Sequence, residues 1–306
     1  MQGMQHWISQ YLSDCQYQKG LNPKTIKAYQ IDLAQFSALM GQSRSGLTRE
    51  SIMEYVSVLH QRYKPRSIRR KIASVKAFCG YLEFEKLVEE NPFSRIRLKL
   101  STPLILPRTI RLSAIEAILM GAYQMKENAK TTERRNTVLR DIAVLELLFA
   151  TGIRVSELCA LQCGDVRLNA GEIKIYGKGA KERFVQIVNP DVLEVLSIYQ
   201  ETYRDAMALT GTFFVNRLNK PLSDQSVRSI VNRYSKLAGM ENHITPHMFR
   251  HSFATLLLEE GVDIRYIQQL LGHSSIVTTQ IYIHVTGKKQ RDILSEKHPR
   301  NKIHSL

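Results

Sequence analysis

The stretch "NPFSRIRLKLSTPLILPRT", residues 91–109, constrains the fold more than any other. Pro92, Pro103 and Pro107 each lack an amide hydrogen and disfavour a helical residue before them, so no helix can run through it. It predicts an extended, basic linker over 91–107, between a first domain at 1–90 and a second at 108–306. A chain of 306 residues has room for two ordinary cores.

Before the linker the apolar residues follow a helical period only. They run through Trp7, Ile8, Tyr11 and Leu12, then Ile26, Tyr29, Ile31, Leu33 and Phe36. Further sets follow at Ile52, Tyr55, Val56 and Leu59, with Thr48 as a cap, and at Ile68, Ile72, Val75, Phe78 and Leu82. After the linker, Ser113 and Glu116 predict a capping box at a helix start. "ENAKTTERRN" reads as a charged loop, and "VLRDIAVLELLFATG" as an apolar helix ended by Gly152. "GEIKIYG" and "ERFVQIV" alternate on either side of "KGAK" and predict a β-hairpin. Helices dominate from there. The fold class expected is mainly α with a small β-sheet, an α+β chain of two domains.

Charge narrows the function. Lys and Arg outnumber Asp and Glu by 43 to 28, a net charge of +15. The excess divides as 16 against 8 up to residue 107 and 27 against 20 beyond it. Two basic domains joined by a basic linker suit a clamp on a polyanion, chiefly nucleic acid. In the first domain "RYKPRSIRRK" packs Arg62, Lys64, Arg66, Arg69, Arg70 and Lys71 around a helix start, the pattern of a phosphate-contacting helix. No stretch approaches the ~20 apolar residues of a membrane span, and the first residues show no secretion signal. Cys15, Cys79, Cys159 and Cys163 are scattered and form no zinc pattern. The expected setting is a reducing cytoplasm.

The second domain repeats one theme. In "TPHMFRHSFATLLLEEG", Thr245 and Pro246 suit a helix start and Gly261 its exit. His247, Arg250 and His251 then share one face at i, i+3 and i+4. Zinc does not fit this face, because the Glu of a His-Glu-x-x-His motif is missing and Arg250 would repel a cation. Arg154 follows the apolar helix in "ATGIRVSEL", with Glu157 three residues on. Lys178 lies at the hairpin tip in "YGKGAKER", His273 ends a helix in "IQQLLGHSS", and Tyr282 follows in "TTQIYIHV". Two Arg, a Lys and two or three His make a set of donors for a phosphate, and such contacts strengthen as charge builds in a five-coordinate transition state. No cluster of Asp and Glu offers a two-metal site. A side chain must then be the nucleophile, and Tyr is chemically able to serve.

The boxes "ATGIRVSEL", "GKGAKER", "HMFRHSFATLLLEEG", "LLGHSS" and "TTQIYIHV" resemble, in order, the catalytic boxes of the tyrosine recombinases, also called phage integrases. The likeness covers nearly the whole chain and is strongest to the Xer-type subgroup. It implies a four-helix, SAM-like core-binding domain ahead of a catalytic domain. It implies Tyr282 as the nucleophile, leaving a 3′-phosphotyrosyl link and a free 5′-hydroxyl. Arg154 and Arg250 would hold the non-bridging oxygens, Lys178 would protonate the leaving oxygen, His247 would be the acid/base partner of the Tyr, and His273 would support the phosphate. Glu157 would orient Arg154 or its helix, and His251 is the weaker candidate, with a structural role. No cofactor or metal is implied. The implied partner is double-stranded DNA carrying an inverted-repeat core site, bound by a tetramer on two sites or together with a related recombinase.

Two features depart from the Xer pattern. "QMKENAKTTERRNTVLR" is longer than the corresponding stretch, and no arm-binding domain of the larger phage integrases precedes the helical one. The resemblance therefore points to a simple core-site recombinase of the kind carried on mobile or invertible elements. The tail "GKKQRDILSEKHPRNKIHSL" corresponds to tails that dock on a neighbouring protomer in this family. Two other readings share the chemistry or the charge: a type IB topoisomerase relaxing DNA as a monomer, and an architectural protein that grips DNA without cutting. The second needs a missing nucleophile or Arg, and this chain keeps both.

Overall fold

The helical stretches expected before residue 90 fold as α1 (Gln2–Tyr17), α2 (Pro23–Met40), α3 (Arg49–Arg62) and α4 (Pro65–Phe84). They are seen in a computed structural model that describes residues 2–40, 47–98, 108–177 and 182–272. Thr48 caps α3 as expected: its Oγ1 accepts from the Ser51 amide, and Ser51 Oγ accepts from the Thr48 amide. The four helices close over Leu33, Phe36, Ile52, Val75, Phe78 and Leu82, all fully buried.

Inside this core α2 carries a fully buried carboxylate, Asp32. Arg70 Nη1 donates to it at 2.5 Å, Lys71 Nζ at 3.0 Å and Ser74 Oγ at 3.0 Å; Lys71 also donates to Gln35 Oε1. A buried charge is tolerated only when its oxygens are satisfied in this way. α2 and α4 are thus joined by a polar lock as well as by apolar packing.

The chain divides into two compact units, Met1–Leu104 and Ile105–Leu306. The expected linker begins too early. Phe93 is buried in the first core, with Ile96 and Leu98 packed against it, so the chain after α4 folds back on its own unit. An Asx turn, Asn91 Oδ1 accepting from the Phe93 amide, makes the reversal. The linker residues 99–107 lie outside the described residues.

The second unit contains α5 (Leu112–Glu127), α6 (Thr132–Thr151), α7 (Val155–Ala160), α8 (Pro190–Thr202), α9 (Arg204–Thr210), α10 (Asp224–Leu237), α11 (Pro246–Glu259) and α12 (Ile264–Leu271). β1 (Val166–Arg167), β2 (Glu172–Tyr176) and β3 (Glu182–Gln186) form an antiparallel sheet in that order. The hairpin β2–β3 pairs Glu172 with Gln186 and Tyr176 with Glu182, as its alternation predicts; the two-residue β1 was too short to leave a pattern. α6 is buried on every side from Val138 to Leu148, packed among α5, α8 and α11, which makes it the axis of the unit.

Two expectations at helix starts are corrected. Ser113 and Glu116 do not form a capping box: the cap position is Arg111, and Ser113 already lies inside α5. "ENAKTTERRN" is mostly helix rather than loop. Thr131 Oγ1 accepts from the Arg134 amide, so α6 begins at Thr132, and its charged first turns are simply the exposed start of a buried helix.

Candidate active site

α6 ends at Gly152, which adopts φ +59°, a left-handed conformation that favours glycine. A Cβ there would meet the Phe253 ring at 2.6 Å. This stop turns the chain so that Arg154 caps the short α7 just two residues later. α12 ends in the same way at Gly272, φ +63°.

The two helix ends are bridged by arginine. Arg250, buried on α11, donates Nη1 to Gly152 O at 2.7 Å and Nη2 to Leu271 O at 2.6 Å. Arg154 donates Nη2 to Gly272 O at 3.2 Å. Both guanidinium groups therefore sit at the C-terminus of α12, where the helix dipole presents partial negative charge. The side chain of Arg154 remains one-third exposed, so it can still meet a ligand from solvent.

Glu157, buried on α7, fixes Arg154 from behind. It accepts from Arg154 Nη1 at 2.6 Å and from the Arg154 amide at 3.0 Å. It also takes a fork from Arg183 on β3, at 3.0 and 2.8 Å, and Arg183 Nε donates to Leu270 O at 3.2 Å. Burial pushes the Glu157 carboxyl upward, but the Arg183 fork and the Arg154 amide outweigh it and hold it at about 2. Arginines 183, 250 and 154 thus occupy three successive carbonyls, those of residues 270, 271 and 272. The sequence reading passed over Arg183. The signal was its strand position, on the same inward face as the buried Val185.

α11 starts at Pro246 with Thr245 in the cap position, as expected, although the Thr245 side chain makes no capping hydrogen bond. His247 is exposed in the first turn, and its ring lies 6.1 Å from that of His251 at an interplanar angle of 26°. Burial first, then the positive neighbours His247 and Arg250, hold the His251 imidazole down at about 4. His251 is thereby a neutral spacer at neutral pH, and His247 is the ring that faces solvent. Lys178, His273 and Tyr282 lie outside the described residues, His273 directly following Gly272.

The candidate phosphate helix is α4. Arg62, Lys64, Arg66, Arg69 and Arg70 are exposed around its start. Lys71 is not: it is 3% exposed and its ammonium is spent on Asp32. The sequence set included it because charge runs do not reveal which side chain faces the core.

Known proteins carry the same pattern. A model of the "Phage integrase family" matches residues 120–289, and a model of the "Phage integrase, N-terminal SAM-like domain" matches residues 8–86. The chain belongs to the phage integrase family. A tyrosine recombinase of Agathobacter rectalis is 50% identical over 99% of this chain and 100% of its own length. Tyrosine recombinase XerD of Staphylococcus saprophyticus is 36% identical over 96% of this chain and 98% of its own. The XerH site-specific recombinase, solved in a post-cleavage complex with its palindromic difH substrate, has a TM-score of 0.75 at 22% identity, covering 94% of this chain and 84% of that one. That last likeness is one of fold. This recombinase catalyses site-specific DNA recombination through cleavage by a tyrosine.

Proposed function

We propose that the recombinase exchanges strands between two paired core sites, with Tyr282 as the nucleophile. Its phenolic oxygen attacks the scissile phosphorus, the 5′-oxygen leaves, and a 3′-phosphotyrosyl link forms. The free 5′-hydroxyl of the partner strand then reverses the step and releases Tyr282. Arg154 and Arg250 hold the non-bridging oxygens. Lys178 gives the proton to the leaving oxygen, His247 takes the tyrosine proton, and His273 supports the phosphate. The bond energy is kept in the covalent link, so the cycle balances without a nucleotide or a metal.

One observation carries this reading: Arg154 and Arg250, far apart in sequence, meet at the end of α12, immediately before His273. Guanidinium groups held this way are gathered and oriented before charge develops on a phosphate. The DNA site is taken as an inverted repeat bound by two protomers, with four on a pair of sites. The exposed α4 arginines contribute further phosphate contacts.

The test begins with the full chain and a pool of duplexes with randomised sequence. The protein should enrich one inverted-repeat site. On a duplex of that site nicked beside the scissile phosphate, it should form an adduct that survives denaturing electrophoresis. Enrichment without any adduct would overturn the reading.

A further inference from the structure

Arg183 is absent from the set of residues just assigned, yet it touches both Glu157 and the end of α12. Its fork spans both oxygens of Glu157, its Nε reaches Leu270 O, and its stem packs on Gly272, where a Cβ would lie 2.8 Å from Nη1 and 2.9 Å from Cδ. Its backbone belongs to β3, which begins at Glu182. Its guanidinium is mostly buried, 12% of the side chain being exposed, and it points at protein rather than at solvent.

We propose that Arg183 is a positioning residue for phosphoryl transfer, acting through Glu157 on Arg154 and through Leu270 on the end of α12. The geometry supports this over a purely stabilising role. Glu157 Oε1 receives Arg154 and Arg183 together, at 2.6 and 3.0 Å, so the two guanidinium groups lie against one another across a single oxygen. Like charges this close stay put only while the carboxylate between them is shared. Removing Arg183 leaves Glu157 free to turn toward Arg154 and draw it away from the open side. It also releases the last turn of α12, which sets where Gly272 offers its carbonyl to Arg154. Lysine cannot replace it, because one ammonium cannot span two carboxylate oxygens and a carbonyl. The proposal rests on the reading of Arg154 as a phosphate ligand.

The experiment compares two nicked duplexes of the enriched site. One has an ordinary phosphodiester at the scissile position; the other a methylphosphonate, in which a methyl group replaces one charged non-bridging oxygen. An arginine that acts on phosphate charge matters less on the second. Arg154→Ala is the reference. Arg183→Ala should bind the site as wild type does and slow adduct formation on the phosphodiester by about 10²-fold, the loss typical of a misplaced reacting group. Most of that loss should vanish on the methylphosphonate, in parallel with Arg154→Ala. Equal slowing of Arg183→Ala on both duplexes, with Arg154→Ala recovering, would overturn the role of Arg183 alone. Failure of Arg154→Ala to recover would remove the phosphate reading and the Arg183 inference with it. Arg183→Lys covers the case in which the alanine variant does not fold: it should show the same substrate-dependent loss, and wild-type rates from it would overturn the proposal.

Discussion

Arg154 and Arg250 donate to neighbouring carbonyls, Gly272 O at 3.2 Å and Leu271 O at 2.6 Å. The same helix end therefore holds both, and each is fixed before any substrate arrives. Arg250 also reaches Gly152 O, so the ends of α6 and α12 are tied through one buried side chain.

That tie gives Arg250 a measurable structural role. Arg250→Met keeps most of the volume and leaves two buried carbonyls without these donors, each worth roughly 1–3 kcal/mol. The urea midpoint should fall at unchanged slope. An unchanged midpoint would mean that the two hydrogen bonds do not hold the helix ends together.

Charge on α4 separates into two kinds. Arg66→Ala with Arg69→Ala should lower the log–log salt slope of DNA binding by about two, one for each lost phosphate contact. Lys71→Ala should leave the slope alone and instead lower stability by roughly 1–3 kcal/mol, because the buried Asp32 loses a donor. A change of slope in the Lys71 variant, or none in the double variant, would reverse the assignment.

Acid should weaken the site in two stages. His251 titrates at about 4 in the fold, below its ordinary 6.5, so the unfolded chain binds that proton first. Its contribution is complete above pH 6.5 and is lost as pH falls toward 4. Glu157 titrates at about 2 rather than 4.5, so its contribution is lost between pH 4.5 and 2. The stability gap between wild type and His251→Gln should therefore shrink from pH 7 to pH 4, measured by denaturant midpoints. A gap that widens on acidification would contradict the lowered His251 value.

Lys178 is tested by its leaving group. An alkoxide needs a proton as its bond breaks, whereas a thiolate does not. Lys178→Ala should cleave ordinary DNA ~10²–10⁴-fold more slowly and regain most of its rate on DNA with sulfur at the bridging 5′ position. Equal slowness on both would transfer the acid role to His247 or Lys181.

Much of this was legible in the sequence where local rules decide. The four helices of the first unit, the hairpin, Thr48 and the glycine stop at 152 follow from periodicity and from turn chemistry. The shared face of His247, Arg250 and His251 follows from helical spacing alone. What escaped depends on burial. Asp32 and Asp141 are surface residues by type, yet Asp141 is fully buried and accepts from Arg140, Arg233 and Tyr234. Lys71 and Arg183 were hidden for the same reason. A charged side chain reads as solvent-facing until the fold supplies its partner.

The most direct measurement is made at Tyr282. Phe removes only the hydroxyl and keeps the ring's packing. Tyr282→Phe should bind the enriched site with wild-type affinity and leave no adduct on the nicked duplex after denaturing electrophoresis. An adduct from the phenylalanine variant at the wild-type rate would contradict the assignment and place the nucleophile on another side chain, with Tyr266, exposed on α12, the next to be replaced.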